Sequence, residues 1–301
     1  MQSNNPHINQ DNKIKYILYA FLPLLVAMLV QYLVNILDVL IIFVANLLSD
    51  KEVSRTHTIS DIMNQHLNQP MNRAYVNVAQ YFLYIVIFGI WYYKTFCRDI
   101  SIKNKNSSAS HIIDMLKQLF RSKIIFLLII AGYAGQVMVD GILVLVRPLF
   151  TSAFAQYDEL VSNVSGANSS WVMLVVVFCL APIGEELLFR GIIQQYLSCV
   201  MNTYIAIFLQ GLLFGLYHGN IIQGVYAFIL GATLGFIVHK THSVLYGIIL
   251  HMTINISLIF VPDILLKSTI GCILSSIIGL CVFVVMLILT LRTKKKIENN
   301  L

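Results

Sequence analysis

Long apolar runs recur along this chain, at 16–46, 74–96, 123–149, 170–196, 203–218, 221–238, 243–262 and 268–291. A helix crosses the roughly 30 Å hydrocarbon core of a bilayer with about 20 apolar residues. Within lipid each backbone N–H and C=O must be satisfied inside the protein, which favours helices. The chain therefore reads as all-α: a polytopic transmembrane helical bundle of about eight spans. The fifth and sixth runs are short, so their boundaries are the least secure. The first is long and carries Gln31, Asn35 and Asp38, consistent with tilting or with extension beyond the bilayer.

Composition excludes a soluble domain. Hydrophobic residues make up 58% of the chain and charged residues 11%, against about 25% charged in soluble proteins. The polar start, 1–15, and the length of the first run argue against a cleaved signal peptide. The five cysteines, Cys97, Cys179, Cys199, Cys272 and Cys281, show no C-x-x-C spacing, so neither a disulfide framework nor a zinc knuckle is expected. The net charge of +6 fits basic cytoplasmic loops, and no nucleic-acid partner is implied. Lys94, Arg98, Lys103, Lys105, Lys117, Arg121 and Lys123 fall between the second and third runs, and Arg292, Lys294, Lys295 and Lys296 near the C-terminus. With an even number of spans, the positive-inside rule places both termini in the cytoplasm. The expected location is a cell membrane, bacterial in reading, with the lipid bilayer as an obligatory partner.

The expected organisation is a polar tail at 1–15, N-terminal transmembrane helices and loops at 16–169, a core at 170–262, and a last span with a basic tail at 263–301. Between spans, 108–123 has apolar residues at 112, 113, 116, 119 and 120. That spacing fits an interfacial amphipathic helix or an ordinary connector. The polar stretch 50–72 reads as an external loop with some helix.

An ionisable residue inside a span is a functional candidate by default. From residue 170 onward the strongly polar candidates are Glu185, Glu186, Arg190, His218, His251 and Asn255. Glu186 and Arg190 are four apart, with the glutamate N-terminal, the better order for a helical ion pair. Glu185 is rotated away by one residue and left free. A carboxylate in a poorly solvated cavity is suited to general base or acid work. The alternative is one structural charge cluster that locks two helices. Pro182 and Gly184 precede the pair, where a bend would open a polar cavity. Glycines at 211, 215 and 219 form a small-residue stripe for close helix packing. His251 and Asn255 share a helical face and together offer an imidazole and an amide to one oxyanion. The set supplies parts for attack by water on a peptide carbonyl. No serine or cysteine stands out as a nucleophile, and there is no H-E-x-x-H.

Glu185-Glu186-x-x-x-Arg190, Phe214-x-x-x-His218 and His251-x-x-x-Asn255, in that order in apolar helices, resemble the CPBP intramembrane proteases. That family includes the type II CAAX prenyl endopeptidases and the bacterial Abi, or bacteriocin self-immunity, proteins. The resemblance covers about 170–262 and includes the Ala181-Pro182 lead-in and the Phe189-Arg190-Gly191 exit. It implies an all-α membrane core in which Glu185 with His218 activates water and His251 with Asn255 forms the oxyanion hole. Glu186, Arg190 and Phe214 would support the site. It leaves two readings of the cofactor open: none required, or a divalent metal such as zinc on Glu185, His218 and His251. The implied partner is a membrane-associated protein or peptide substrate, either prenylated and CAAX-type or a peptide precursor. A non-catalytic adaptor or self-immunity protein on the same fold is the alternative. Such a protein is free to lose the site, whereas every motif position is filled here.

Overall fold

The computed structural model describes residues 10–48, 70–97, 123–165 and 170–299. Among them there are helices and no strands. We number the helices α1 (Gln10–Leu48), α2 (Pro70–Tyr92, continued by a π turn Tyr93–Cys97), α3 (Ile124–Val146), α4 (Thr151–Ser165), α5 (Trp171–Val200), α6 (Thr203–Tyr217), α7 (Ile221–Thr241), α8 (Val244–Ser257) and α9 (Thr269–Asn299). The stretch 1–9, most of the expected loop at 50–72 and most of the expected amphipathic helix at 108–123 lie outside the described residues, as do Arg98, Lys103, Lys105, Lys117 and Arg121.

Among the described residues six helical segments are long and apolar enough to cross a membrane: Lys13–Ala45, Met71–Cys97, Ile124–Leu149, Trp171–Val200, Ile221–Thr241 and Thr269–Lys295. The protein is an integral membrane protein. The expected count of eight is not reached. The runs at 203–218 and 243–262 do form apolar helices, but α6 has 15 residues and α8 has 14. At 1.5 Å per residue they rise only about 21–23 Å, short of the hydrocarbon core. The sixth run is the reverse case: α7 continues to Thr241 and reaches 21 residues. The first run is overlong as expected, with α1 covering 39 residues.

α4 has no counterpart among the apolar runs. It buries Phe154 and Tyr157 and leaves Asp158 exposed. Asp158 accepts both Nη groups of Arg147, at 2.7 and 2.9 Å. Those bonds hold the Asp158 carboxyl below its usual range.

Two apolar clusters make the body. One joins Ala27 of α1, Phe88 of α2, Leu188 and Ile192 of α5, and Phe214 of α6. The other joins Leu128 of α3, Leu234 of α7, Leu250 of α8 and Phe283 of α9. α6 and α7 meet closely, as the glycine stripe predicts. A Cβ on Gly211 would lie 2.9 Å from the Ala232 nitrogen. Gly219 departs from the stripe. It takes φ +67° in the turn after α6, a conformation that L side chains rarely adopt.

α5 runs between the clusters and is irregular. Two π segments interrupt it, Val176–Leu180 and Leu187–Ile193, a form that recurs at functional sites. The bend expected at Pro182 is met as a change of helical register. Pro182 itself sits in the first turn of the piece Ala181–Glu186, and the N–H it lacks is one that the preceding π segment could have used.

Candidate active site

The charged residues of α5 form a buried polar seam between the two clusters. Glu186 and Arg190 are fully buried. Arg190 Nη1 donates to Glu186 Oε1 at 2.6 Å, and Nη2 donates to the Gly231 carbonyl of α7 at 2.9 Å. The guanidinium also lies over the Phe214 ring, 4.4 Å from its centre. A buried ion pair is costly unless further contacts satisfy it; Gly231 supplies one hydrogen bond and Phe214 a ring face, while Arg190 Nε and Glu186 Oε2 find no hydrogen-bond partner among the described residues. Below them Gln194 Nε2 donates to the Gly235 carbonyl at 3.0 Å.

His251 approaches the same carboxylate from α8. Its Nδ1 lies 3.0 Å from Glu186 Oε1, an acceptor, so Nδ1 carries the proton. The other ring nitrogen, Nε2, is 3.8 Å from Glu185 Oε2. Arg190, Glu186 and His251 thus form a chain that sets the imidazole's orientation, with the Phe214 ring edge-on to it at 5.7 Å. Gly247 makes room: a Cβ there would stand 2.7 Å from Glu186 Oε2.

One turn further along α8, Asn255 Nδ2 donates to the Val177 carbonyl at 2.9 Å. The reason lies in α5. At the end of the first π segment the Ala181 N–H bonds to Val176 O, five residues back. In that register Val177 O would pair with residue 182, which is proline and has no N–H. The Asn255 amide fills the gap and keeps its second N–H.

His218 caps the end of α6. Its backbone N–H donates to the Gly215 carbonyl at 3.3 Å, the next N–H, of Gly219, donates to Leu216, and its Nδ1 sits 2.8 Å from the Phe214 carbonyl. A carbonyl accepts, so Nδ1 donates and Nε2 keeps its lone pair.

These elements enclose a cavity of about 400 Å³. Glu185, His218, His251 and Asn255 all line it, with Tyr81 and Tyr217 beside them. Glu186 and Arg190 lie behind the wall. The structure therefore separates the adjacent glutamates: one faces the cavity, the other is held by Arg190 and His251. Gln136, Tyr157, Gln223 and Tyr226 add uncharged polar groups to the lining. Glu185, His218 and His251, considered above as metal ligands, do not gather into a donor set. No group of three His, Cys, Asp or Glu side chains does so among the described residues.

Residues 167–257 match the family model described as type II CAAX prenyl endopeptidase Rce1-like. This segment is similar to the proteins of that family. No curated protein and no solved structure matches the chain. The matched segment spans α5 to α8 and contains all seven site residues named from the sequence.

Two parts of the site escaped the sequence reading, and both lie upstream of the matched segment. Tyr81 of α2 donates its hydroxyl to Glu185 Oε1 at 3.0 Å. Asp140 of α3 accepts at 2.8 Å from Nε2 of Gln136, which lines the cavity. Asp140 was open to detection as an acid inside a span, had that rule been applied before residue 170. Tyr81 carried no such signal, because tyrosines are common in apolar helices.

Proposed function

We propose that this protein is an intramembrane endopeptidase that hydrolyses a peptide bond of a membrane-associated substrate with water activated by Glu185 and His218. The observation that supports it is the single cavity lined by a carboxylate, two imidazoles and an amide. Glu185 Oε2, or His218 through its free Nε2, takes a proton as water attacks the scissile carbonyl carbon. The oxyanion is met by the second N–H of Asn255 and by the Nε2–H of His251 in its imidazolium form, with a proton on each ring nitrogen. As the C–N bond breaks, the proton held by the base passes to the leaving amine. The products are a carboxylic acid and an amine, which accounts for the atoms of water and peptide. Glu186 and Arg190 orient His251 and take no part in proton transfer. In this reading Glu185 and His218 carry the proton transfers themselves.

The substrate class that the family resemblance favours is a CAAX-type prenylated chain, with a peptide precursor as the other candidate. Both termini are placed in the cytoplasm on the strength of the basic flanks.

The test is a comparison of peptide termini in cells expressing wild type or Glu185→Ala at matched levels, with a farnesylated CAAX-type reporter peptide in parallel. Termini that depend on Glu185 would support proteolysis and name a substrate. A biological phenotype kept by Glu185→Ala, with no new termini, would replace this reading with the non-catalytic adaptor. Retention of Glu185-dependent cleavage after exhaustive chelation would separate the carboxylate route from a metal route.

A further inference from the structure

Tyr81 stands on α2, outside the matched segment and 104 residues before Glu185. Its hydroxyl is nonetheless aimed at the cavity's carboxylate, 3.0 Å from Oε1. Several features of the fold bring it there. α2 comes close to α5 at Gly184, where a Cβ would lie 3.3 Å from Tyr84 Cβ and 3.4 Å from Tyr81 Cδ1. The glycine directly before Glu185 thus admits the two tyrosines.

The Tyr81 ring is braced in turn. It meets Tyr84 edge-on, with ring centres 5.5 Å apart. Tyr84 is fully buried and donates to the Ala27 carbonyl of α1 at 2.9 Å. It receives Gln80 Nε2 at 3.0 Å and the Tyr217 hydroxyl of α6 at 3.3 Å. The support behind Tyr81 is therefore tied to α1, α2 and α6.

The consequence is a difference between the two oxygens of Glu185. Oε1 is occupied by the phenol. Oε2 is turned toward His251 Nε2, 3.8 Å away. A carboxylate on a helix swings freely unless one oxygen is held, and catalytic groups lose rate steeply when misplaced. We propose that Tyr81 is a positioning residue for Glu185, holding Oε1 so that Oε2 is the oxygen presented to the attacking water. This rests on the reading of Glu185 as the base.

The experiment uses the full chain in nanodiscs and two variants. Tyr81→Phe keeps the ring that packs at Gly184 and removes only the hydroxyl. Tyr157→Phe removes a hydroxyl elsewhere on the cavity wall. Dicyclohexylcarbodiimide, which adds to a carboxyl oxygen, is reacted with each, and Glu185 modification is followed by peptide mass spectrometry, with Glu185→Gln as the blank. The expected result is several-fold faster labelling of Glu185 in Tyr81→Phe and the wild-type rate in Tyr157→Phe. An unchanged rate in Tyr81→Phe overturns the proposal. Equal acceleration in both variants also overturns it, because the cavity has then merely loosened. On the farnesylated reporter, Tyr81→Phe should lower kcat about 10- to 100-fold with KM nearly unchanged. A matched change in KM alone would count against positioning. If wild type cuts no reporter, the labelling still decides the role of Tyr81, and the protease reading fails separately.

Discussion

α5 and α9 are of nearly equal length and both are apolar enough to span a bilayer, yet they differ in every other respect. In its most apolar window α5 is 56% buried, and α9 is 22% buried. α9 is an unbroken α-helix, whereas α5 changes register twice. Ser276 and Thr290 of α9 turn back on carbonyls of their own helix, Cys272 O and Met286 O, and Ser275 reaches no further than Leu265 in the preceding turn. The polar side chains of α5 reach outward, from Arg190 to Gly231, from Gln194 to Gly235 and from Glu186 to His251. Hydropathy sees two similar helices. The difference is where each polar group finds its partner. A group satisfied by its own helix asks nothing of its neighbours. A group satisfied by another helix fixes where that helix must be.

Substitutions can sharpen this contrast. The largest effect is expected from Glu185→Gln, which keeps the shape and removes the base. Cleavage of the reporter should fall on the order of 10²- to 10⁴-fold while the thermal melt in detergent stays near wild type. Next comes Arg190→Met, which leaves Glu186 buried without its cation. The expected loss is about 3–5 kcal/mol, read as a lowered melting temperature and poor recovery of folded protein. The double variant Glu186→Leu/Arg190→Met should recover much of that loss without recovering cleavage. Asn255→Leu is smaller, on the order of 1–3 kcal/mol, because it strands the Val177 carbonyl. Its cost should shrink in a Pro182→Ala background, where residue 182 regains an N–H; equal costs in both backgrounds would refute the proposed compensation. The smallest effect belongs to α9. Ile277→Leu on its exposed face should stay within about 0.5 kcal/mol and leave cleavage unchanged.

The sequence carried the membrane class and most of the spans because hydropathy is a local property. It carried the Glu186–Arg190 pair because a four-residue spacing is also local. It carried the length of α6, expected at 203–218 and found at Thr203–Tyr217, but not that of α8, since apolar residues after Ser257 continue into turns rather than helix. α4 was overlooked because its buried face, with Phe154 and Tyr157, is diluted by polar neighbours. Asn255 was read as an oxyanion donor. Its bond to Val177 depends on a π register and a proline 73 residues earlier, a relation that no spacing within α8 expresses. Tyr81 was hidden for a similar reason. Its meaning arises only when α2 lies against Gly184.

The seam between the two apolar clusters has a consequence for biosynthesis. The chain is made from the N-terminus, and the cavity wall is completed only when His251 and Asn255 of α8 arrive. Until then Glu185 and His218 face a half-built pocket, with neither of the donors contributed by α8. The proposed site is therefore incomplete until α8 has been made and has docked, however early α5 and α6 have entered the bilayer.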